Sequence, residues 1–83
     1  MSYEKVKQAA NIIIGAKQAS RMVDSNKVSE VFVAKDADPR VTIKLVNLCH
    51  RRGVAITYVD SMKQLGTACG IEVGAAVAAV VNE

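Results

Sequence analysis

Val28-Ser29-Glu30-Val31-Phe32-Val33-Ala34-Lys35-Asp36-Ala37-Asp38-Pro39 reads as a strand, a turn and a helix start in immediate succession. Val31, Phe32 and Val33 are consecutive apolar residues, the pattern of a strand covered on both faces. Asp38 suits a helix N-cap, because its carboxylate accepts from the unpaired amides of a first turn. Pro39 suits the first helical position, where its fixed φ fits and its missing N–H is not needed. A strand covered on both sides that runs into a helix is the repeating unit of an α/β fold.

Outward from this stretch the alternation continues. Ile12-Ile13-Ile14 is a β-branched run suited to a short buried strand, ended by Gly15. From Ala16 to Asp24 the spacing of Ala19, Met22 and Val23 predicts a helix, and Ser25-Asn26-Lys27 a turn. After Pro39, Val41, Ile43, Leu45, Val46, Leu48 and Cys49 fill a helix that Arg51-Arg52-Gly53 closes. Val54 to Val59 reads as a third strand. Asp60 or Ser61 caps a short helix through Ala68, and Gly74 to Val81 is the last strand. Glu4 to Ala10 adds a helical segment with Val6, Ala9 and Ala10 on one side. The expected architecture is α/β: a three-layer α-β-α sandwich with a four-stranded mixed sheet, one domain over residues 1–83.

The composition bounds the function. Net charge is +3, a mild basic excess that favours an anionic partner without identifying one. Trp is absent and the aromatics are Phe32, Tyr3 and Tyr58, too few for an RNA module that stacks bases on sheet aromatics. Cys49 and Cys69 form no CxxC pair and no Cys/His cluster, so they read as reduced structural thiols and not as a zinc site. No secretory signal opens the sequence, and the longest apolar run, Val73 to Val81, is too short to span a bilayer. A cytoplasmic monomer that needs no membrane is the expectation.

Gly15-Ala16-Lys17-Gln18-Ala19-Ser20-Arg21 lies at a strand-to-helix junction, where unpaired amides and the helix dipole favour negative charge. Lys17 and Arg21 are in i,i+4 register, and Lys, Arg and Gln can donate to base edges or phosphates. The same residues also fit a merely solvated helix start. Neither G-x-x-x-x-G-K-[ST] nor G-x-G-x-x-G occurs. Asp36 and Asp38 could hold a metal or do acid–base work, but their place before a helix favours capping. His50 stands beside Arg51 and Arg52 without a nucleophile or a carboxylate at a catalytic spacing.

Leu65-Gly66-Thr67-Ala68-Cys69-Gly70-Ile71-Glu72-Val73-Gly74 spaces three glycines four apart. Gly70 falls where the short helix ends, and the loop after it carries Ile71 and Val73 where polar residues are usual. The loop is either folded under into the core or an apolar platform for a partner.

The segments Gly15 to Arg21, Val33-Ala34-Lys35-Asp36-Ala37-Asp38-Pro39 and Leu65 to Val73 together resemble the ribosomal-protein L-seven-Ae family of kink-turn RNA binders, its small bacterial YbxF-type members above all. The likeness runs through essentially the whole chain in order. It implies an α-β-α sandwich that recognises a sharply bent RNA internal loop with tandem sheared G·A pairs. The helix-start role falls on Gly15, Lys17, Gln18 and Arg21, and the cover over unstacked bases on Ile71, Glu72 and Val73. Asp38 and Lys63 match positions lining a pocket for an extruded nucleotide, and Lys35 and Lys63 would hold phosphates. Archaeal and eukaryotic members usually carry Asn-Glu where this chain has Lys17-Gln18, and Lys in place of Arg21; bacterial members share this kind of substitution. The resemblance implies a non-enzymatic protein with no cofactor, metal or catalytic residue. Its partner would be an RNA containing a kink-turn, whether ribosomal RNA, a riboswitch leader or another structured RNA, with ribosome association among the expectations. The rivals are a permanent large-subunit structural protein of the same fold and a small ligand-binding domain using Asp36, Asp38 and His50.

Overall fold

A computed structural model of the chain describes residues 11–81. The helical segment expected from Glu4 to Ala10 lies outside the described residues. The elements run β1 (Ile12–Ile14), α1 (Ala16–Asp24), β2 (Val28–Ala34), α2 (Pro39–Arg52), β3 (Ala55–Val59), α3 (Met62–Ala68) and β4 (Val77–Val81). The sheet has the order β1-β4-β2-β3 and is mixed: β2 and β3 are parallel, while β4 is antiparallel to both β1 and β2.

Alternation along β2 builds the two cores. Val31 and Val33 face one side, packed with Ala19 and Val23 of α1, Leu45 and Cys49 of α2, and Val77 and Ala79 of β4. Phe32 and Ala34 face the other, packed with Leu65 and Ala68 of α3, Val59 and Ala78. Helices therefore cover both faces, and the consecutive apolar residues of β2 are accounted for. Phe32, Leu45 and Leu65 are fully buried, each contributing about 1.5–3 kcal/mol of apolar transfer energy. The parallel β2–β3 pair requires a long crossover, which α2 supplies over 14 residues.

Local sequence sets the helix ends. Asp38 caps α2 by accepting from the Arg40 amide at 2.9 Å, with Pro39 in the first turn. Gly53 closes α2 at φ 71°, the left-handed conformation that glycine adopts without strain. Ser61, not Asp60, caps α3 through the Gln64 amide at 3.1 Å.

Two expectations are corrected. Ile12–Ile14 forms an edge of the described sheet, and its side chains are half-buried instead of enclosed. β4 begins at Val77, three residues later than the apolar run from Gly74 implies. The cause is that Ala75 donates its amide to the Met62 carbonyl at 2.9 Å, so the run starts against α3 and meets the sheet at the Ala76 carbonyl, which accepts from the Ala34 amide.

Candidate functional site

The topology gathers the candidate residues on one edge of the sheet. β1, β2 and β3 all end there, and β4, antiparallel to β1 and β2, begins there. The β1–α1, β2–α2 and β3–α3 junctions and the α3–β4 loop consequently share this edge. They carry Gly15, Lys17, Gln18 and Arg21; Lys35 and Asp38; Lys63; and Ile71, Glu72 and Val73. Backbone bonds stitch the junctions together. Gly15 donates to the Val77 carbonyl at 3.1 Å, Ala34 to Ala76 at 2.9 Å, and Lys35 to Val59 at 2.8 Å.

α1 opens without a side-chain cap. Gly15 is its N-cap residue at φ 103°, ψ 140°, a conformation strained for any other residue, and there is open space where a Cβ would stand. No acidic residue lies in the first turn. The positive end of the helix dipole is therefore uncompensated by side chains, and a partner's backbone or base edge can come close. Lys17, Gln18 and Arg21 are all exposed. Lys17 and Arg21 line a groove between α1 and α2 together with Ala16, Ser20, Val41 and Lys44.

The β2–α2 loop is ordered by its two acids. The Asp36 carboxylate accepts from the Met62 amide at 2.8 Å, tying the loop to the first turn of α3, where Lys63 sits exposed. Asp38, besides its capping bond, accepts from the Arg40 guanidinium at 2.8 and 3.1 Å through separate nitrogens to Oδ2. The Arg40 side chain first and its amide second hold the Asp38 carboxyl below its usual range. Both acids thus serve structure, and no cluster of metal-ligating side chains occurs among the described residues. Lys35 lies 3.9 Å from Asp60, a loose, solvent-exposed pair.

The α3–β4 loop resolves the choice between core and platform by doing each with a different residue. Ile71 is half-buried, packed against the Phe32 and Leu65 cluster, and its amide donates to the Gly66 carbonyl at 3.0 Å. Val73 is 71% exposed, the most exposed large hydrophobic side chain among the described residues. Glu72 between them is exposed. Gly70, at φ 81°, turns the chain out of α3.

Sequence reasoning assigned no role to three residues that border these junctions. Arg40 neutralises Asp38, Lys44 faces Lys17 and Arg21 across the groove, and Gly66 lets the loop lie on α3. Lys44 was legible only as a cation among the apolar positions of α2. Gly66 was visible as an interior helix glycine, which requires a packing reason. His50 is exposed at the far end of α2 and is not brought to this edge. Cys49 and Cys69 are both unpaired thiols. No helix among the described residues is long and apolar enough to cross a membrane.

Known proteins resemble this chain in sequence and in fold. An RNA-binding protein of Bacillus pumilus (strain SAFR-032) is 54% identical over 81 residues, covering 98% of this chain and 99% of its own length. The RNA-binding protein YbxF of Geobacillus stearothermophilus is 48% identical over 82 residues, covering 99% of this chain and 100% of its own. The solved structure of a Giardia lamblia 15.5kD RNA binding protein superposes with a TM-score of 0.89 at 32% identity, over 99% of this chain and 72% of that one. The model of the ribosomal protein L7Ae/L30e/S12e/Gadd45 family matches residues 2–83, and the chain belongs to that family.

Proposed function

We propose that this protein is a non-enzymatic RNA-binding module that recognises kink-turn RNA and stabilises its bent form. The observation that carries the reading is the shared edge: an uncapped helix start with exposed Lys17, Gln18 and Arg21 stands beside a loop that offers Val73 to solvent. Relatives spanning nearly the whole of this chain carry RNA-binding names, which supports RNA as the partner.

In this reading Gly15 admits the close approach of the RNA to the start of α1. Gln18 and Arg21 donate to the edges of the tandem G·A pairs, and Lys17 adds a donor on the same face. Val73 and the exposed part of Ile71 cover unstacked bases, with Glu72 at the loop tip. Lys35 and Lys63 hold phosphates near the extruded nucleotide. Asp38, already engaged by Arg40, shapes that pocket by fixing the start of α2. Only differential affinity is required: a protein that binds the bent form more tightly shifts the population toward it. Nothing in this scheme calls for a cofactor, a second copy of the chain or a membrane. The target is a structured RNA of the cytoplasm, ribosomal RNA and riboswitch leaders being of the right class.

The test is a titration against a kink-turn RNA and against the same RNA with its G·A pairs converted to Watson–Crick pairs. Each good base contact contributes about 1–3 kcal/mol of discrimination. The expected result is at least tenfold tighter binding of the kink-turn, with the difference reduced by Gln18→Ala or Arg21→Ala. A uniform loss of affinity for both RNAs would instead identify these side chains as phosphate contacts.

A further inference from the structure

Three cations among the described residues face carboxylates. Arg40 is held by Asp38, Arg52 by Asp24 at 2.6 Å, and Lys35 stands near Asp60. Lys27 and Lys63 have no such carboxylate partner among the described residues, and neither do Lys17, Arg21, Lys44 and Arg51. These four line two adjoining grooves along the α1–α2 seam: Lys17, Arg21 and Lys44 the first, Lys44 and Arg51 the second. Ser20 and Lys44 belong to both grooves, so the seam is continuous, and no acidic side chain lines either part.

Direction matters as much as charge. α1 and α2 both start at the candidate edge, after β1 and β2, and run away from it. Their far ends meet where Arg52 binds Asp24, which removes the acid nearest the end of the seam from play. Lys44 and Arg51 are seven residues apart on α2, about 10 Å along its axis. That separation lets each cation meet a different phosphate of one strand. Both side chains are exposed and line the seam with Val41 and Leu48.

We propose that the α1–α2 seam is a second RNA contact, a phosphate track in which Lys44 and Arg51 hold the backbone of a duplex stem leaving the bent loop. This extends the kink-turn reading above and rests on it. A backbone track carries no sequence information, so it would raise affinity for RNAs with a long stem without altering the preference for G·A pairs.

The experiment uses the full chain and two kink-turn RNAs, one with short stems and one with both stems lengthened by a helical turn. Lys44→Gln/Arg51→Gln removes both charges but keeps unbranched polar side chains of good helix propensity at exposed positions, so thermal unfolding should be unchanged. The expected result is a roughly three- to tenfold loss on the long-stem RNA at low salt, and a salt dependence shallower by about 1.5–2 in log–log slope. Binding of the short-stem RNA and the G·A preference should stay as in the wild type. Lys44→Glu/Arg51→Glu should deepen the loss on the long stem. Wild-type affinity and slope for both double variants on the long-stem RNA would overturn the track, and so would an equal loss on both RNAs. Failure of the parent reading looks different: the unsubstituted protein would then bind G·A and Watson–Crick RNAs alike.

Discussion

The Val73 carbonyl lies directly against the α-carbon of Gly66, leaving no room there for a methyl group. Gly74 sits less tightly against Met62, with 3.2 Å between the place its own Cβ would take and the Met62 Cβ. The apolar loop is therefore laid along α3, backbone against backbone. Together with the Ile71 and Ala75 amide bonds, this fixes which side chain turns in and which turns out.

Gly66→Ala should destabilise the protein even though alanine favours a helix interior by about 1 kcal/mol. The obstacle is a backbone carbonyl, which cannot step aside as a side chain can, and overpacking costs about 1–3 kcal/mol. Thermal unfolding should show a lowered midpoint, with weaker RNA binding at temperatures where the variant is folded. An unchanged or raised midpoint would show that the loop yields freely.

Ile71 and Val73 should separate by readout. Val73→Ser, at an exposed site, should leave unfolding within about 0.5 kcal/mol of wild type yet weaken kink-turn binding several-fold. Ile71→Ala should lower stability as well, by about 1–2 kcal/mol, because its side chain packs on the Phe32 cluster. Denaturant unfolding paired with RNA titration distinguishes the two.

Asp38 makes stability depend on acid. Its carboxyl titrates below the usual value because Arg40 pairs with it, so the charged form favours the folded chain. That contribution is complete above about pH 4 and is lost as pH falls through the lowered value. Asp38→Asn keeps a capping oxygen and removes the charge. The stability difference between wild type and this variant should be constant near neutrality and shrink in acid, as followed by unfolding at stepped pH.

The thiols titrate in the opposite sense. Burial pushes both the Cys49 and the Cys69 thiol up, so the fold favours their neutral forms. Stability should therefore fall as pH rises through the ordinary thiol range of about 8.5, where an unfolded chain would ionise first. In native protein an alkylating reagent should modify Cys69 before Cys49, which is fully buried. Mass mapping of the modified residues checks the order.

How far the sequence carried the fold follows from which signals are local. The Asp38-Pro39 start, the Gly53 stop and the two-faced β2 are written in neighbouring residues, and the structure has all three where the pattern places them. The sequence pattern starts β4 too early because Gly74 and Ala75 lie against α3, and apolarity alone does not distinguish helix cover from sheet pairing. Convergence of the four junctions depends on strand order and direction, which no single segment encodes. Likewise the Arg40 grip on Asp38 and the unpaired state of Lys44 depend on three-dimensional neighbours.

The central claim is that binding at this edge selects bent RNA, and fluorescence energy transfer between dyes on the two arms of a kink-turn measures it most directly. The titration is run in a buffer where the free RNA is extended. Transfer should rise saturably to the value of the bent form as protein is added, and the RNA with Watson–Crick pairs in place of G·A should show little change over the same range. Moving the RNA from 1% to 99% bent requires about 10⁴-fold tighter binding of the bent form. Saturable binding of the kink-turn with no rise in transfer would contradict the account.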